Sequence, residues 1–311
     1  MKPNETILVT GASGLVGTNL VAYLRESGFK NVVAQDLDNC DLTNRSATAA
    51  YFDKVKPAYV FHMAGFVRGI MGNMRHQAEA WLNNTLINAH VIESCQNAGV
   101  KKIVAMGTVA MYPDPLPNNP LREEDLWQGA PHFSEYGYAM AKRGMLAQLQ
   151  AYHESYSTEY ALVLSTNLFG PHDRFDTETG HVIPSLVKKF YDAKQTGSTV
   201  NIWGDGSAQR DFLYIKDAVR ALHTIMDKAE GPINMATGIT RRIHDVVDIL
   251  AEHTGLQDRV VWDATKPNGQ LFRAYDISKL VQTGFTCRIP LEQAIIDTYD
   301  WYAQNAAIAR H

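Results

Sequence analysis

Tyr138 and Lys142 stand four residues apart in EYGYAMAKRG, a stretch of helical period, so both side chains project from one face. An ammonium beside a phenol favours the phenolate, and an oxidised, positively charged nicotinamide ring would add to that shift. Such a pair can trade a proton with an alcohol or ketone near neutral pH while hydride moves to or from a cofactor. Upstream, Thr108 follows the strand-like run KKIVAMG. Its hydroxyl can hold the same substrate oxygen against the phenol, or cap the strand end.

A cofactor site is legible near the N-terminus. Gly11, Gly14 and Gly17 lie in TGASGLVG, directly after the apolar run ILVT and before a helical pattern. Glycines there allow a tight turn and let a pyrophosphate approach the backbone, and the helix N-terminus adds a partial positive charge. The spacing is GxxGxxG, the form used by short-chain dehydrogenase/reductase proteins. Asp36 follows at about the distance where an acidic side chain binds the ribose hydroxyls and repels a 2′-phosphate. It reads as a ribose ligand or as a solvated turn carboxylate beside Asp38 and Asp41. Ser13, the loop position that could carry a basic residue, is uncharged. NAD(H) is therefore the favoured cofactor, with NADP(H) as the alternative. Leu15, Val16, Asp41, Leu42 and Ala64 are assigned to the cofactor with these residues.

The elements that must hold this machinery alternate. Strand-length apolar runs (ILVTG, NVVAQD, AYVFHMA, KKIVAMG, ALVLST) are separated by helical patterns over 15–27, 45–55, 73–99 and 136–155. This predicts an α/β fold with a doubly wound parallel Rossmann sheet. Past Asn167 the rhythm loosens into the loop LFGPHDRFDTETG, then the helix HVIPSLVKKFYDAK and the short strands VNIWG, PINMATG and RVVWD. These predict a smaller α/β substrate-binding lobe. The Rossmann domain is expected over 1–168, with elements from about 210–237 returning to it, and the lobe over 169–209 and 238–311.

Bulk properties fit a globular enzyme. Among 311 residues, 45% are hydrophobic and 20% charged, and the net charge of −4 gives no electrostatic reason for a nucleic-acid or membrane partner. MKPNETILVTGASG lacks the features of a secretory signal, and no apolar segment reaches the roughly 18 residues of a membrane span. Cys40, Cys95 and Cys287 show no metal spacing, so a reduced, cytoplasmic, metal-free protein is expected.

With these motifs in place, the chain resembles the extended short-chain dehydrogenase/reductase proteins that act on nucleotide sugars, most closely the GDP-L-fucose synthase family. The resemblance runs from VTGASGLVG through HMAGFVRGI, LREEDLWQG, EYGYAMAKR, TNLFGPHDRFD, GHVIPSLVKKF and WGDGSAQRDFLYIKD to DATKPNG. It implies Thr108, Tyr138 and Lys142 as the catalytic set and His181 as the acid of C3/C5 epimerisation. It implies Arg210 at the sugar-nucleotide diphosphate, a role suited to a bidentate guanidinium. Asn167, Lys189, Trp203 and Arg273 are implied substrate contacts, and a homodimer paired through two helices is implied as well. For that pairing the sequence offers Leu82, Leu86, Ile87 and Val91 with Met140, Met145, Leu146 and Leu149, which could equally be buried within one chain.

Two departures matter. The resembled family uses NADPH held by arginines, which Ser13 and QDLDNCDL do not supply. It also carries a cysteine base two residues after the catalytic hydroxyl, and here that place is Ala110. Epimerisation needs a base and an acid on opposite faces of the sugar, and a methyl group is neither. The expected reaction is hydride transfer at C4 of a GDP-linked hexose or heptose, as 4-keto reduction or the reverse oxidation, without C3/C5 epimerisation. The alternatives are a GDP-L-fucose synthase-type epimerase/reductase, an NAD-dependent epimerase, and a non-catalytic nucleotide sensor, which would have no use for an intact Thr/Tyr/Lys set.

Overall fold

The apolar run ILVT forms strand β1 (Ile7–Thr10), whose side chains leave alternately to two sides: Ile7 and Val9 join one core, Leu8 the other. The same alternation recurs in Val104 against Ile103 and in Val163 against Leu162. A strand buried on both faces must be covered on both, as a parallel sheet requires. The computed structural model describes residues 1–67, 69–177, 180–265 and 272–310.

After β1 come α1 (Leu15–Glu26), β2 (Val32–Gln35), α2 (Arg45–Val55), β3 (Tyr59–His62), α3 (Gly69–Arg75), α4 (Gln77–Asn97), β4 (Lys102–Met106), α5 (Tyr136–Tyr156) and β5 (Glu159–Ser165). The second half holds β6 (Asn167–Phe169), α6 (Val182–Thr196), β7 (Val200–Trp203), β8 (Gln209–Tyr214), α7 (Ile215–Lys228), β9 (Gly231–Met235), β10 (Thr240–Arg242), α8 (Ile243–Thr254), β11 (Val260–Asp263), α9 (Ser278–Gln282) and α10 (Leu291–Asn305).

Six strands form one parallel sheet in the order β2-β1-β3-β4-β5-β9. Leu20 and Leu24 of α1 and Leu222 and Ile225 of α7 cover one face, while Val91 and Ile92 of α4 and Leu146 and Leu149 of α5 cover the other. Smaller sheets, β10-β8-β6 and β11-β7, carry the second half. Their helices α6, α8 and α10 contribute Phe190, Leu250 and Ile295 to the core that α1 and α7 share, so the lobe is packed onto the main sheet. The chain leaves β1 toward β2 on one side and resumes with β3 on the other, which opens a crevice at the carboxyl ends of β1 and β3.

Two expectations are corrected here. The helix expected over 73–99 is two helices, because His76, at φ −128° and ψ 43°, breaks it. Asn167 begins a strand and not a loop, since it pairs in parallel with Phe212. Of the residues offered for dimerisation, Val91, Met145, Leu146 and Leu149 are buried in the chain's own core, while Leu82 and its neighbour Trp81 are exposed. Among the described residues, no helix is long and apolar enough to cross a membrane.

Candidate active site

The glycine-rich turn is built by close approach. Gly11 has φ +64°, and a Cβ added there would lie 2.7 Å from the Ala64 Cα; one added to Gly17 would lie 2.2 Å from the Gly11 carbonyl oxygen. The first helical bond of α1 runs from the Thr18 amide to the Gly14 carbonyl at 2.9 Å, so the amides of Leu15, Val16 and Gly17 have no acceptor within the helix. These amides are open to an anion without competition from the helix backbone.

Asp36, at the end of β2, has one buried carboxylate oxygen with no hydrogen-bond partner among the described residues. A buried unpaired acceptor is costly, and a ribose hydroxyl would satisfy it. Ser13 is exposed at the loop tip. Asp41 accepts bonds from the Thr43 amide (2.9 Å) and hydroxyl (2.7 Å), which hold its carboxyl below the usual range. Leu42 is buried in the core, so any contact with a dinucleotide is left to its backbone. The turn, the uncompeted amides and the orphaned Asp36 oxygen together fit a dinucleotide.

The proton-handling groups converge at the end of β4. Lys142 is 1% exposed, and its ammonium donates to the Met106 carbonyl at 2.8 Å. Burial lowers its pKa to about 8. Tyr138, one turn earlier on α5, is also buried, and its phenol is pushed up, first by burial and then by the Glu135 charge. The expected shift toward phenolate is not seen in the chain itself, where burial and the Glu135 charge both disfavour the anion. Thr108 accepts a bond from the Ala110 amide at 3.2 Å, capping the 3₁₀ turn Val109–Met111. Its hydroxyl thus caps the strand end and still carries a proton to donate.

Glu135 was not expected. It precedes Tyr138 by three residues, so the i, i+3 spacing was a readable signal. Asn73 donates to its carboxyl at 3.5 Å. Burial raises its pKa, and the cations or histidines at positions Arg273, His181 and His132 oppose that rise. A carboxyl group is therefore within electrostatic reach of Tyr138 and His181. Behind the pocket, fully buried His62 links β1 to α4, with Nδ1 2.8 Å from the Thr10 hydroxyl oxygen and Nε2 3.1 Å from Asn88 Oδ1. Burial and the nearby Lys142 lower its pKa to about 3, so the ring is neutral. The Ala64 amide donates to the same Thr10 oxygen at 3.2 Å, so the network also fixes the turn under Gly11.

The expected substrate residues fall in two groups. Arg273 donates to the Val109 carbonyl at 3.3 Å, placing it against the turn that carries Ala110. It acts electrostatically on Arg210 and on Tyr275, which gathers two guanidiniums beside the pocket. His181 stands at the N-terminal boundary of α6, exposed and with no capping bond from its side chain, close enough for its charge to oppose the burial-raised pKa of Asp173, which stands at about 6. Asn167 Nδ2 donates to the Asp211 carbonyl at 3.0 Å. Lys189 and Trp203 form the other group, with the ammonium 5.6 Å from the ring centroid. Residues 266–269 of DATKPNG, and Arg68 of HMAGFVRGI, lie outside the described residues.

Residues 7–236 match the NAD dependent epimerase/dehydratase family. The chain belongs to that family. Within it, the chain is 34% identical over 302 residues to GDP-L-fucose synthase 1 of Arabidopsis thaliana, covering 96% of this chain and 93% of the relative. A solved GDP-L-fucose synthetase of Naegleria fowleri bound to NADP superposes with a TM-score of 0.93 at 33% identity, over 100% of this chain and 96% of that one. A GDP-mannoheptose C4 reductase from Campylobacter jejuni with NADP bound gives 0.88 at 29%, over 97% and 99%. Both solved relatives hold NADP, against the NAD preference expected from Asp36.

Proposed function

We propose that this member of the family is a nucleotide-sugar oxidoreductase that reduces the 4-keto group of a GDP-linked hexose or heptose, without C3/C5 epimerisation. The observation that carries the reading is the placement of Tyr138 one turn before Lys142 on α5, with the Lys142 ammonium bonded to the end of β4 just before Thr108. A phenol placed beside an ammonium is the proton donor a ketone needs as it becomes an alcohol. A nicotinamide dinucleotide, when bound, supplies the hydride; NADP(H) is favoured by the solved relatives, with NAD(H) as the alternative.

Gly11, Gly14, Gly17 and the amides of α1 would hold its pyrophosphate, and Asp36 its ribose. Tyr138 delivers the proton to the C4 oxygen, and Thr108 donates to that oxygen and fixes its position. The ammonium of Lys142 replenishes charge balance beside the phenol as the proton leaves. Arg210 and Arg273 hold the sugar-nucleotide diphosphate, with Asn167, Lys189 and Trp203 as further substrate contacts. His181 orients the sugar. A division into a cofactor domain (1–168, joined by about 210–237) and a substrate lobe (169–209 and 238–311) follows the same assignment. A cytoplasmic homodimer, paired through the exposed Trp81 and Leu82 of α4, completes the proposal.

Glu135 keeps one competing reading in play, an epimerase/reductase whose base is this carboxyl and whose acid is His181. Incubation with GDP-4-keto-6-deoxymannose and NADPH or NADH, followed by proton NMR, decides between them. Reduced product with unchanged C3 and C5 configuration supports the reductase; inverted centres support the epimerase; no oxidation of either cofactor removes both.

A further inference from the structure

The glycine-rich loop and the segment after β2 contain no lysine or arginine of their own, in GASGLVG or in QDLDNCDLTN. The fold nonetheless brings one there. Arg310 is 297 residues from Ser13 in sequence, and its Nη1 donates to the Ser13 carbonyl at 3.4 Å. The approach is fixed by backbone. The Phe175 amide donates to the Arg310 carbonyl at 2.8 Å, Arg174 and Arg310 pair as a parallel bridge, and the preceding Ala309 is buried in the core. The guanidinium itself is exposed at the loop. Its charge reaches buried Asp173, whose carboxyl it helps to hold down against burial, so it spans the gap between the phosphate loop and the His181 side of the pocket.

A guanidinium presents five donors in a fixed fork, and one bond to the Ser13 carbonyl leaves most of that fork for an anion. The loop's own attraction for phosphate comes only from backbone amides and the partial charge of α1. We propose that Arg310 belongs to the dinucleotide site, its guanidinium binding a phosphate oxygen of the cofactor at the glycine-rich loop. This rests on the nicotinamide reading above. Two phosphates offer that chemistry: the pyrophosphate, common to both dinucleotides, and the 2′-phosphate of NADP(H), which Asp36 would otherwise repel.

The test is a titration of NADPH and of NADH into the full chain and into Arg310→Ala, read by fluorescence of the reduced nicotinamide, with thermal melts of both proteins. Loss of a charged hydrogen bond is expected to weaken binding about tenfold or more. Loss confined to NADPH, with an unchanged melt, assigns Arg310 to the 2′-phosphate. Equal loss for both, with an unchanged melt, assigns it to the pyrophosphate. Unchanged affinity for both overturns the inference, as does a loss that accompanies a lowered melting temperature. If the unsubstituted chain binds neither dinucleotide, the nicotinamide reading itself falls, an outcome distinct from an unaffected variant.

Discussion

The Glu135 carboxyl and the Tyr138 phenol lie one helical turn apart at the start of α5, and the charge of the first raises the pKa of the second. Asn73, Arg273, His181 and His132 also face Glu135. Replacing it by glutamine removes the negative charge and keeps the shape. Glu135→Gln should therefore lower the phenol's pKa and move the alkaline limb of the kcat/KM profile to lower pH. An unshifted limb would show that the carboxyl and the phenol are electrostatically independent.

Tyr138 supplies a proton that the neighbouring Thr108 hydroxyl cannot replace, since an aliphatic alcohol is intrinsically far less acidic than a phenol. Tyr138→Phe should slow turnover by about 10²–10⁴-fold, the usual contribution of a positioned acid, while the dinucleotide still binds. Absorbance of the reduced nicotinamide measures the rate and fluorescence the binding. Full loss of cofactor affinity would make the tyrosine a structural post.

Ala110 sits on the turn that Arg273 grips, and in the proposed reading its methyl group stands where the family resemblance implies an epimerisation base. Ala110→Cys should introduce or raise solvent deuterium incorporation at C3 or C5 of a 4-keto substrate, read by proton NMR against a near-silent parent. Should the parent exchange strongly, the missing-base argument fails, and Glu135→Gln then tells whether that carboxyl does the work.

The sheet and its helices were readable because their pattern is local: apolar runs for strands buried on both faces, and helical periods between them. Asn167–Phe169 was not, because three residues become a strand only by pairing with β8, more than forty residues later. Leu42 looked like a neighbour of the cofactor by sequence position, and its burial was decided by helices that pack from elsewhere. Tyr138, Lys142 and Thr108 were singled out by residue type and spacing, and the fold brings Lys142 to the strand end that precedes Thr108. Glu135 was as close in sequence, but an acid at a helix start is ordinary until its half-buried place within reach of Tyr138, His181 and Arg273 is known. Arg310 gave no local signal at all.

Asp36 holds a buried, unpartnered carboxylate oxygen at the ribose end of the loop. That oxygen can accept from a ribose hydroxyl and repels a 2′-phosphate. Asp36→Ala should weaken NADH more than NADPH, raising the NADPH preference in paired Kd measurements. An unchanged ratio would show that the ribose is read elsewhere, whichever dinucleotide the unsubstituted chain prefers.

His62 gives the fold an acid sensitivity whose sign is determined. Its pKa falls from 6.5 in the open chain to about 3 when folded, so between those values the unfolded chain binds a proton that the native chain does not. Its share of stability is present above about pH 6.5 and is lost as pH falls, by about 1.4 kcal/mol per unit at most. Asp173, raised from 3.8 to about 6, acts in the opposite sense between those values, so the effect must be read as a difference between proteins. His62→Gln should be less stable than the parent at pH 8, where it weakens the Thr10 and Asn88 bonds, and the gap should narrow steadily from pH 6.5 to pH 4.5 in urea unfolding. A gap that stays constant over that interval would mean the ring takes up a proton in the folded chain.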